Sequence, residues 1–200
     1  MIVRRGIDML VGGLGLFLCG PLLILFGLIL LMIDGRPVLF TQTRSGLGGR
    51  SFRVVKFRTM SDARDAGGVL LPDPERITAV GRLLRATRVD ELPQLWNVLI
   101  GDMSLIGPRP LLPSTIADAK DAGRERGRVR PGVTGWAQVN GNTLLSDDDK
   151  IALDNWYIRN RSLRLDLRIV VRTLLVSLRG ERRDMAAIGR AHAGAPHRRG

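Results

Sequence analysis

The chain has 200 residues and a formal net charge of +12, from 31 Lys and Arg against 19 Asp and Glu. This charge indicates an anionic partner such as phosphate, acidic lipid or nucleic acid, although the preference for Arg over Lys fits codon bias in a GC-rich genome equally well. The single cysteine, Cys19, excludes a disulfide framework within the chain, and no Cys/His cluster has the spacing of a zinc site.

The N-terminal segment is predicted to be embedded in a membrane. Residues 9–33 carry no charge and would form a helix of about 37 Å, enough to cross a hydrocarbon core of roughly 30 Å. Pro21, preceded by Gly20, predicts a bend near the middle. Arg4, Arg5 and the Arg-rich region after the segment all favour the cytoplasmic side. A re-entrant helix satisfies both ends, while a tilted, kinked spanning helix remains the alternative.

The next elements are a predicted β-hairpin, a loop and a helix. Residues 38–42 and 52–59 have strand character and flank a glycine-rich turn at 45–49. These glycines fit turn geometry, because no phosphate-binding loop motif follows. Residues 61–75 are polar, with glycines and prolines, and predict a mobile loop. Apolar residues from Ile77 to Leu84 then recur at helical spacing.

A second helix is predicted to open at Asp90, with that residue as its N-cap and Pro93 in its first turn. Its apolar residues recur at helical spacing, and Gly101 is expected to end it. Residues 107–110, of sequence GPRP, predict a stiff, extended elbow because both prolines fix φ.

Near the C-terminus, Arg164, Arg168 and Arg172 repeat every four residues beside an apolar face, which predicts a basic amphipathic helix. This face could lie on an anionic membrane surface or pack on the domain core. The overall prediction is an α+β fold, mostly α. It comprises a membrane helix at 1–34, a catalytic domain at 35–180 and a disordered basic tail at 181–200.

Asp90 and Glu91 are the best catalytic candidates. An aspartate at a helix start lies where anions are stabilised and could attack phosphorus, while its neighbour could hold a divalent cation such as Mg²⁺. The alternative is that Asp90 is only a cap and Glu91 only complements the helix dipole. What favours chemistry is a set of cations sufficient to bind a pyrophosphate: Lys56, Arg58, Arg85, Arg88 and Arg109.

Three long motifs carry a family resemblance: KFRTM at 56–60, RATRVDELPQLWNVLIGDMSLIGPRP at 85–110 and RPGVTGWAQVNG at 130–141. From about residue 4 to residue 180 the chain resembles the monotopic phosphoglycosyl transferases, the bacterial sugar transferase family, in its small single-domain form. The resemblance implies an enzyme on the cytoplasmic face of the bacterial inner membrane. It also favours a re-entrant helix broken at Pro21, together with interfacial amphipathic helices.

The resemblance implies a ping-pong reaction in which Asp90 attacks the β-phosphate of a UDP-sugar, releases UMP and passes the phosphosugar to polyprenyl (undecaprenyl) phosphate. Glu91 corresponds to the family's Mg²⁺ ligand. The implied substrate-binding positions also include the elbow and two amides of the third motif: Pro108, Arg109, Pro110, Gln138 and Asn140. Anionic lipids and a homodimer are expected as further partners, whereas nucleic acid is not.

Two positions depart from the family pattern. Gly20 stands where members of this small form often carry Ser, and Asn142 stands where the family often shows Arg. The identity of the sugar therefore stays open. Two rival functions also remain: a non-catalytic membrane adaptor that binds anionic lipid or protein, and a one-step transferase in which the two acids only order Mg²⁺.

Overall fold

The computed structural model describes residues 2–194, apart from the side chain of residue 2, as a mostly helical α+β protein. The chain divides into two units: residues 1–42 with 53–100, and residues 43–52 with 101–200. The predicted fold class is therefore confirmed. Neither unit is one continuous stretch of sequence.

The first unit begins with the long apolar helix α1 (Ile2–Ile33). Within Val3–Ile33 the most apolar 18-residue window has a mean hydropathy of 2.9, and only 6% of that window is buried, so length and composition suit a membrane. The predicted break at Pro21 does not end the helix, which continues on both sides of this residue. A proline removes one helical hydrogen bond and bends a helix, and it need not terminate it.

The predicted hairpin is confirmed as β1 (Leu39–Ser45) paired with β2 (Ser51–Phe57). Within the segment predicted as a loop, isolated bridges join Arg64 to Leu70 and Met60 to Ile77, and α2 (Asp73–Arg76) forms one helical turn. The predicted helix that follows is α3 (Ala79–Thr87), capped by the Thr78 hydroxyl, which accepts from the Gly81 N–H. Leu30, Phe57 and Leu84 form the apolar cluster of this unit.

Helix α4 (Gln94–Ile100) packs on α1. Small residues on α1 permit the approach, because a Cβ at Gly12 would lie 3.1 Å from Val98 and one at Gly15 would lie 3.3 Å from Leu95. Asn97 joins α4 to β2, since its amide donates to the Arg53 carbonyl (2.8 Å) and accepts from the Val55 N–H (3.1 Å).

The second unit contains a parallel pair of short strands, β3 (Ser104–Ile106) and β4 (Gly132–Thr134). Its helices are α5 (Pro113–Asp118), α6 (Lys120–Arg126), α7 (Trp136–Val139), α8 (Asp147–Arg159), α9 (Leu163–Arg179) and α10 (Met185–Ala193). Its core joins residues of α7, α8, α9 and α10, and Trp136 stacks on Trp156 within it.

The predicted disordered tail is wrong for Met185–Ala193, which form α10. Asp184 caps this helix by accepting from the Ala187 N–H, and Ala187, Ile188 and Ala191 are buried in the core. Two alanines and one isoleucine on one helical face are enough to dock a short helix, even between basic residues. Residues 195–200 of the predicted tail lie outside the described part of the chain.

The basic amphipathic helix is confirmed as α9, and it has two apolar faces. Leu165 and Ile169 enter the core, whereas Leu167, Leu174 and Leu178 are exposed. The two uses considered for this helix are therefore compatible, because packing on the core leaves another apolar face uncovered.

Candidate functional site

Asp90 and Glu91 lie in a single 3-10 turn, Val89–Glu91, that follows α3. Asp90 is buried and is not the N-cap of α4, which begins only at Gln94. Short turns connect Asp90 to α4: the Leu92 N–H donates to the Val89 carbonyl, and the Leu95 N–H donates to the Leu92 carbonyl. Proline at 93 has no N–H to extend a helical ladder backwards. The predicted stabilisation by a helix dipole therefore does not apply to Asp90.

Lys56 and Glu91 form a partly buried ion pair, with 2.7 Å between the Lys56 Nζ and a Glu91 carboxylate oxygen. Lys56 projects from β2 and Glu91 from the turn after α3, so the fold joins two predicted site residues that are 35 positions apart. A charge-assisted hydrogen bond of this length fixes the Glu91 side chain. The pair therefore places a cationic side chain beside the predicted catalytic acids.

The three predicted arginines of this unit have different surroundings. Arg85 is exposed in the last turn of α3, and its Nε donates to the Thr59 hydroxyl (2.9 Å). Arg88 is also exposed, with a left-handed backbone (φ 61°) that starts the turn of Asp90. Arg58 donates instead to the backbone carbonyls of residues 34–36 after α1. Its guanidinium therefore holds the backbone of the segment that follows α1, which is a structural contact.

The Pro108-Arg109-Pro110 elbow belongs to the second unit, where it follows β3. It is held on both sides, because the Gly132 N–H donates to the Pro108 carbonyl (2.8 Å) and Arg126 donates to the Arg109 carbonyl. Glycines allow the tight approach next to it: a Cβ at Gly135 would lie 2.0 Å from the Gly107 carbonyl oxygen. These contacts hold the elbow in place, and its stiffness stays a prediction from its two prolines.

Arg126 and Arg44 are two residues of this region that the sequence motifs did not single out. Arg126 forms a buried ion pair with Asp154 on α8 (2.8 Å), so one side chain secures both the elbow and the core. Burial, and to a lesser degree the nearby charge of Arg109, lower the pKa of Arg44. Arg44 therefore adds a second cation near the elbow. The sequence did not indicate either residue, because single arginines do not stand out in a chain this rich in arginine.

The two amides of the third motif are engaged within their own unit. Asn140 is fully buried; it donates to the Trp136 carbonyl (2.6 Å) and accepts from Arg172, which also lies over the Trp136 ring. Gln138 donates to the Val133 carbonyl (2.8 Å). Asn140 therefore ties α7 to α9 and is fully buried in this conformation, while its predicted contact with substrate stays a prediction.

Asn142, at the position where an arginine was expected, is held by a carboxylate. Its amide donates to Glu181 (2.5 Å), and the same carboxylate accepts from the N–H and hydroxyl of Thr143. The loop after the third motif is thus fixed from the segment that joins α9 to α10. Position 142 therefore carries an amide bound to Glu181, where the family often has an arginine.

Comparison with known proteins accounts for this combination of elements. The sequence model of the family described as bacterial sugar transferase matches residues 1–180. The chain is 48% identical to an uncharacterized sugar transferase, EpsL, of Bacillus subtilis, with 88% of this chain and 89% of EpsL covered. It is 42% identical to an undecaprenyl-phosphate glucose phosphotransferase of Komagataeibacter xylinus, over 87% of this chain but only 35% of that protein.

A third relative is the UDP-glucose:undecaprenyl-phosphate glucose-1-phosphate transferase of Caulobacter vibrioides, which is 43% identical over 86% of this chain and 68% of its own length. The family match over residues 1–180 includes α1, the turn that carries Asp90 and the elbow. The predicted family is confirmed, and the chain belongs to the bacterial sugar transferase family.

Proposed function

We propose that this protein transfers a phosphosugar from a UDP-sugar to undecaprenyl phosphate through a covalent intermediate on Asp90. The observation that carries the proposal is the buried Asp90 beside Glu91, with Lys56 paired to Glu91 and the exposed Arg85 on the preceding helix. The names of the Komagataeibacter and Caulobacter relatives support the donor and acceptor classes. The particular sugar is left open.

The proposed reaction has two balanced displacements at one phosphorus atom. In the first, a carboxylate oxygen of Asp90 bonds to the β-phosphorus of the donor, and the bond to the bridging oxygen breaks, so UMP leaves with that electron pair. In the second, an oxygen of the lipid phosphate bonds to the same phosphorus and the bond to Asp90 breaks. The carboxylate is regenerated and the lipid carries a diphosphate-linked sugar.

The residues of the turn fit a magnesium ion. Mg²⁺ prefers oxygen ligands and is commonly held by one or two carboxylates together with substrate phosphates. Asp90 and Glu91 supply adjacent carboxylates, and among residues 2–194 no group of three acidic, His or Cys side chains forms a complete protein cage. Glu91 would hold the ion, which when bound neutralises the diphosphate and stabilises the departing UMP. Lys56 orients Glu91 for this task.

The contacts of α1 support a re-entrant arrangement on one membrane face. Near its start, Arg5 donates to the carbonyls of Val98 (2.6 Å) and Leu99 (2.8 Å) in α4. Just beyond its end, Asp34 accepts from the Thr78 hydroxyl (2.9 Å). Both ends thus meet polar elements of the same unit, whereas a straight helix of 32 residues would separate its ends by about 48 Å.

The exposed apolar face of α9, flanked by Arg164 and Arg168, supports a second contact with anionic lipid. We therefore assign the protein to the cytoplasmic face of the inner membrane as a monotopic enzyme. Cysteines introduced near residues 1 and 200 should both react only with a membrane-permeant thiol reagent. Labelling of the N-terminal probe from outside would instead indicate a spanning helix.

The decisive experiment omits the lipid acceptor. Purified full-length protein with Mg²⁺ and a panel of UDP-sugars should release one equivalent of UMP, and mass spectrometry should find a phosphosugar on the peptide that contains Asp90. Asp90→Asn should abolish both signals, whereas Asp62→Asn makes the same chemical change at an exposed position and should leave both intact. UMP release only after lipid is added would favour one-step transfer, and no release under any condition would favour a membrane adaptor.

A further inference from the structure

Gln94 is a buried side chain with an unsatisfied donor. It is the first residue of α4, only 3% of its surface is exposed, and its Nε2 has no hydrogen-bond partner among residues 2–194. A buried donor without a partner costs about 1–3 kcal/mol, and folded proteins leave few of them. Such a donor is available to a ligand that arrives during function.

The turn that carries the acidic residues leads directly to Gln94. Gln94 follows Glu91 by three residues, through successive turns in which the Leu92 N–H donates to the Val89 carbonyl and the Leu95 N–H to the Leu92 carbonyl. In 3-10 turns, side chains three residues apart lie on the same side of the chain. Glu91 pairs with Lys56 of β2, and Asn97, three residues after Gln94, bonds the β2 backbone. Gln94 therefore lies on the side that carries the Glu91 carboxylate, between two contacts with β2.

Asn97 shows what a purely structural amide looks like on the same face. It is 1% exposed, and both of its polar atoms have backbone partners in β2. The same packing thus satisfies one buried amide fully and leaves the donor of the other, one turn closer to Asp90, without a partner. Because Asn97 is satisfied by the packing and the Gln94 donor is not, packing alone does not explain the Gln94 amide.

We infer that Gln94 is a catalytic residue whose Nε2 donates to a phosphoryl oxygen as the phosphosugar is transferred to Asp90. This inference rests on the proposed function. The donor lacks a partner in the resting protein, and a side-chain rotation gives it one when the Asp90 oxygen bonds to phosphorus and UMP departs. An interaction made only at that stage lowers the barrier without tightening substrate binding.

The test replaces Gln94 with Met, which has similar volume but no donor, and with Glu, which keeps the shape but adds a negative charge. In Gln94→Met the rate of UMP release without lipid should fall about 100-fold, the order of effect seen when one oxyanion donor is removed. The concentration of UDP-sugar that gives half-maximal release should change little. The melting temperature should be unchanged or higher, because an unsatisfied buried group has been removed. Gln94→Glu should lose at least as much rate, through repulsion of the phosphoryl oxygens.

Asn97→Leu is the matched control, and it should lower the melting temperature because it strands two backbone groups of β2. A melting temperature that falls in Gln94→Met, or a rate of UMP release that does not change, would overturn the inference by assigning Gln94 to packing. If the wild-type protein gave neither UMP nor an adduct on Asp90, the proposed function would fail and this inference with it. An active wild type with an equally active Gln94→Met would refute the role of Gln94 alone.

Discussion

Replacing Arg126 by Met should destabilise the second unit far more than replacing its exposed neighbour Arg124. Both arginines are in α6, and each pairs with an aspartate at almost the same distance, 2.8 Å to Asp154 and 2.7 Å to Asp121. They differ in burial. The side chains of Arg126 and Asp154 are 4% and 1% exposed, whereas those of Arg124 and Asp121 are 81% and 92% exposed.

The size of the effect follows from this burial. Removal of one partner of a buried pair leaves the other charge without compensation, at a cost of about 3–5 kcal/mol. For a protein of this size that corresponds to a fall in melting temperature of roughly 10 °C. Burial already raises the pKa of Asp154, and Arg126 opposes that shift. The deficit of Arg126→Met should therefore shrink as the pH falls, because a protonated Asp154 needs no partner.

Thermal unfolding of purified protein, followed by circular dichroism, measures the loss of stability and its dependence on pH. The measurements run between pH 5 and 8, where most proteins are at their most stable. Arg124→Met should leave the melting temperature unchanged, because exposed pairs contribute little. Adding Asp154→Leu to Arg126→Met should recover part of the loss. Equal effects of the two arginine substitutions, or no recovery in the double variant, would refute the reasoning. Because Arg126 also holds the Arg109 carbonyl, the Michaelis constant for the donor should rise in Arg126→Met.

Three other predictions concern separate parts of the second unit. Gly135→Ala should impair folding or loosen the elbow, since its Cβ would lie 2.0 Å from the Gly107 carbonyl oxygen, and limited proteolysis should detect this change. A backbone hydrogen bond from α10 and the nearby Arg172 lower the pKa of Asp184. Its contribution to the unfolding free energy should therefore be complete above about pH 4 and decline below it. Asp184→Asn should remove this decline from a pH titration of the unfolding free energy. Leu174→Glu with Leu178→Glu should weaken binding to vesicles that contain anionic lipid, in a sedimentation assay, without lowering the melting temperature, because both side chains are exposed.

Much of the fold could be predicted because its signals are local. The uncharged N-terminal run, the strands around a glycine-rich turn and the spacing of arginines along α9 each lie within one stretch of sequence. Helix α10 was missed because its buried face consists of only three residues, two of them alanines. Its stability depends on packing against α8 and on Asp184, whose partner Arg172 comes from α9.

The candidate site was predictable in its residue types but not in its partners. The motifs identified Lys56 and Glu91, yet only the fold reveals that they pair with each other. Arg58 and Asn140 stay predicted substrate-binding residues, and the fold adds backbone partners that the motifs do not reveal. The Arg126–Asp154 pair joins positions 28 apart that lie in no recognised motif. Long-range polar pairs of this kind depend on tertiary packing, which local sequence patterns do not reveal.

The way the hairpin is shared between the units constrains how this protein can be recombined with its relatives. The ends of the hairpin belong to the first unit, while its tip, residues 43–52, belongs to the second. The tip is bonded there: the Ser45 N–H donates to Leu111 and the Gly48 N–H to Gly127. A chimera with a single crossover near residue 100 would give the tip a foreign partner. Exchange of residues 43–52 together with the segment from 101 onward would transfer the elbow's unit with the hairpin tip that bonds to it.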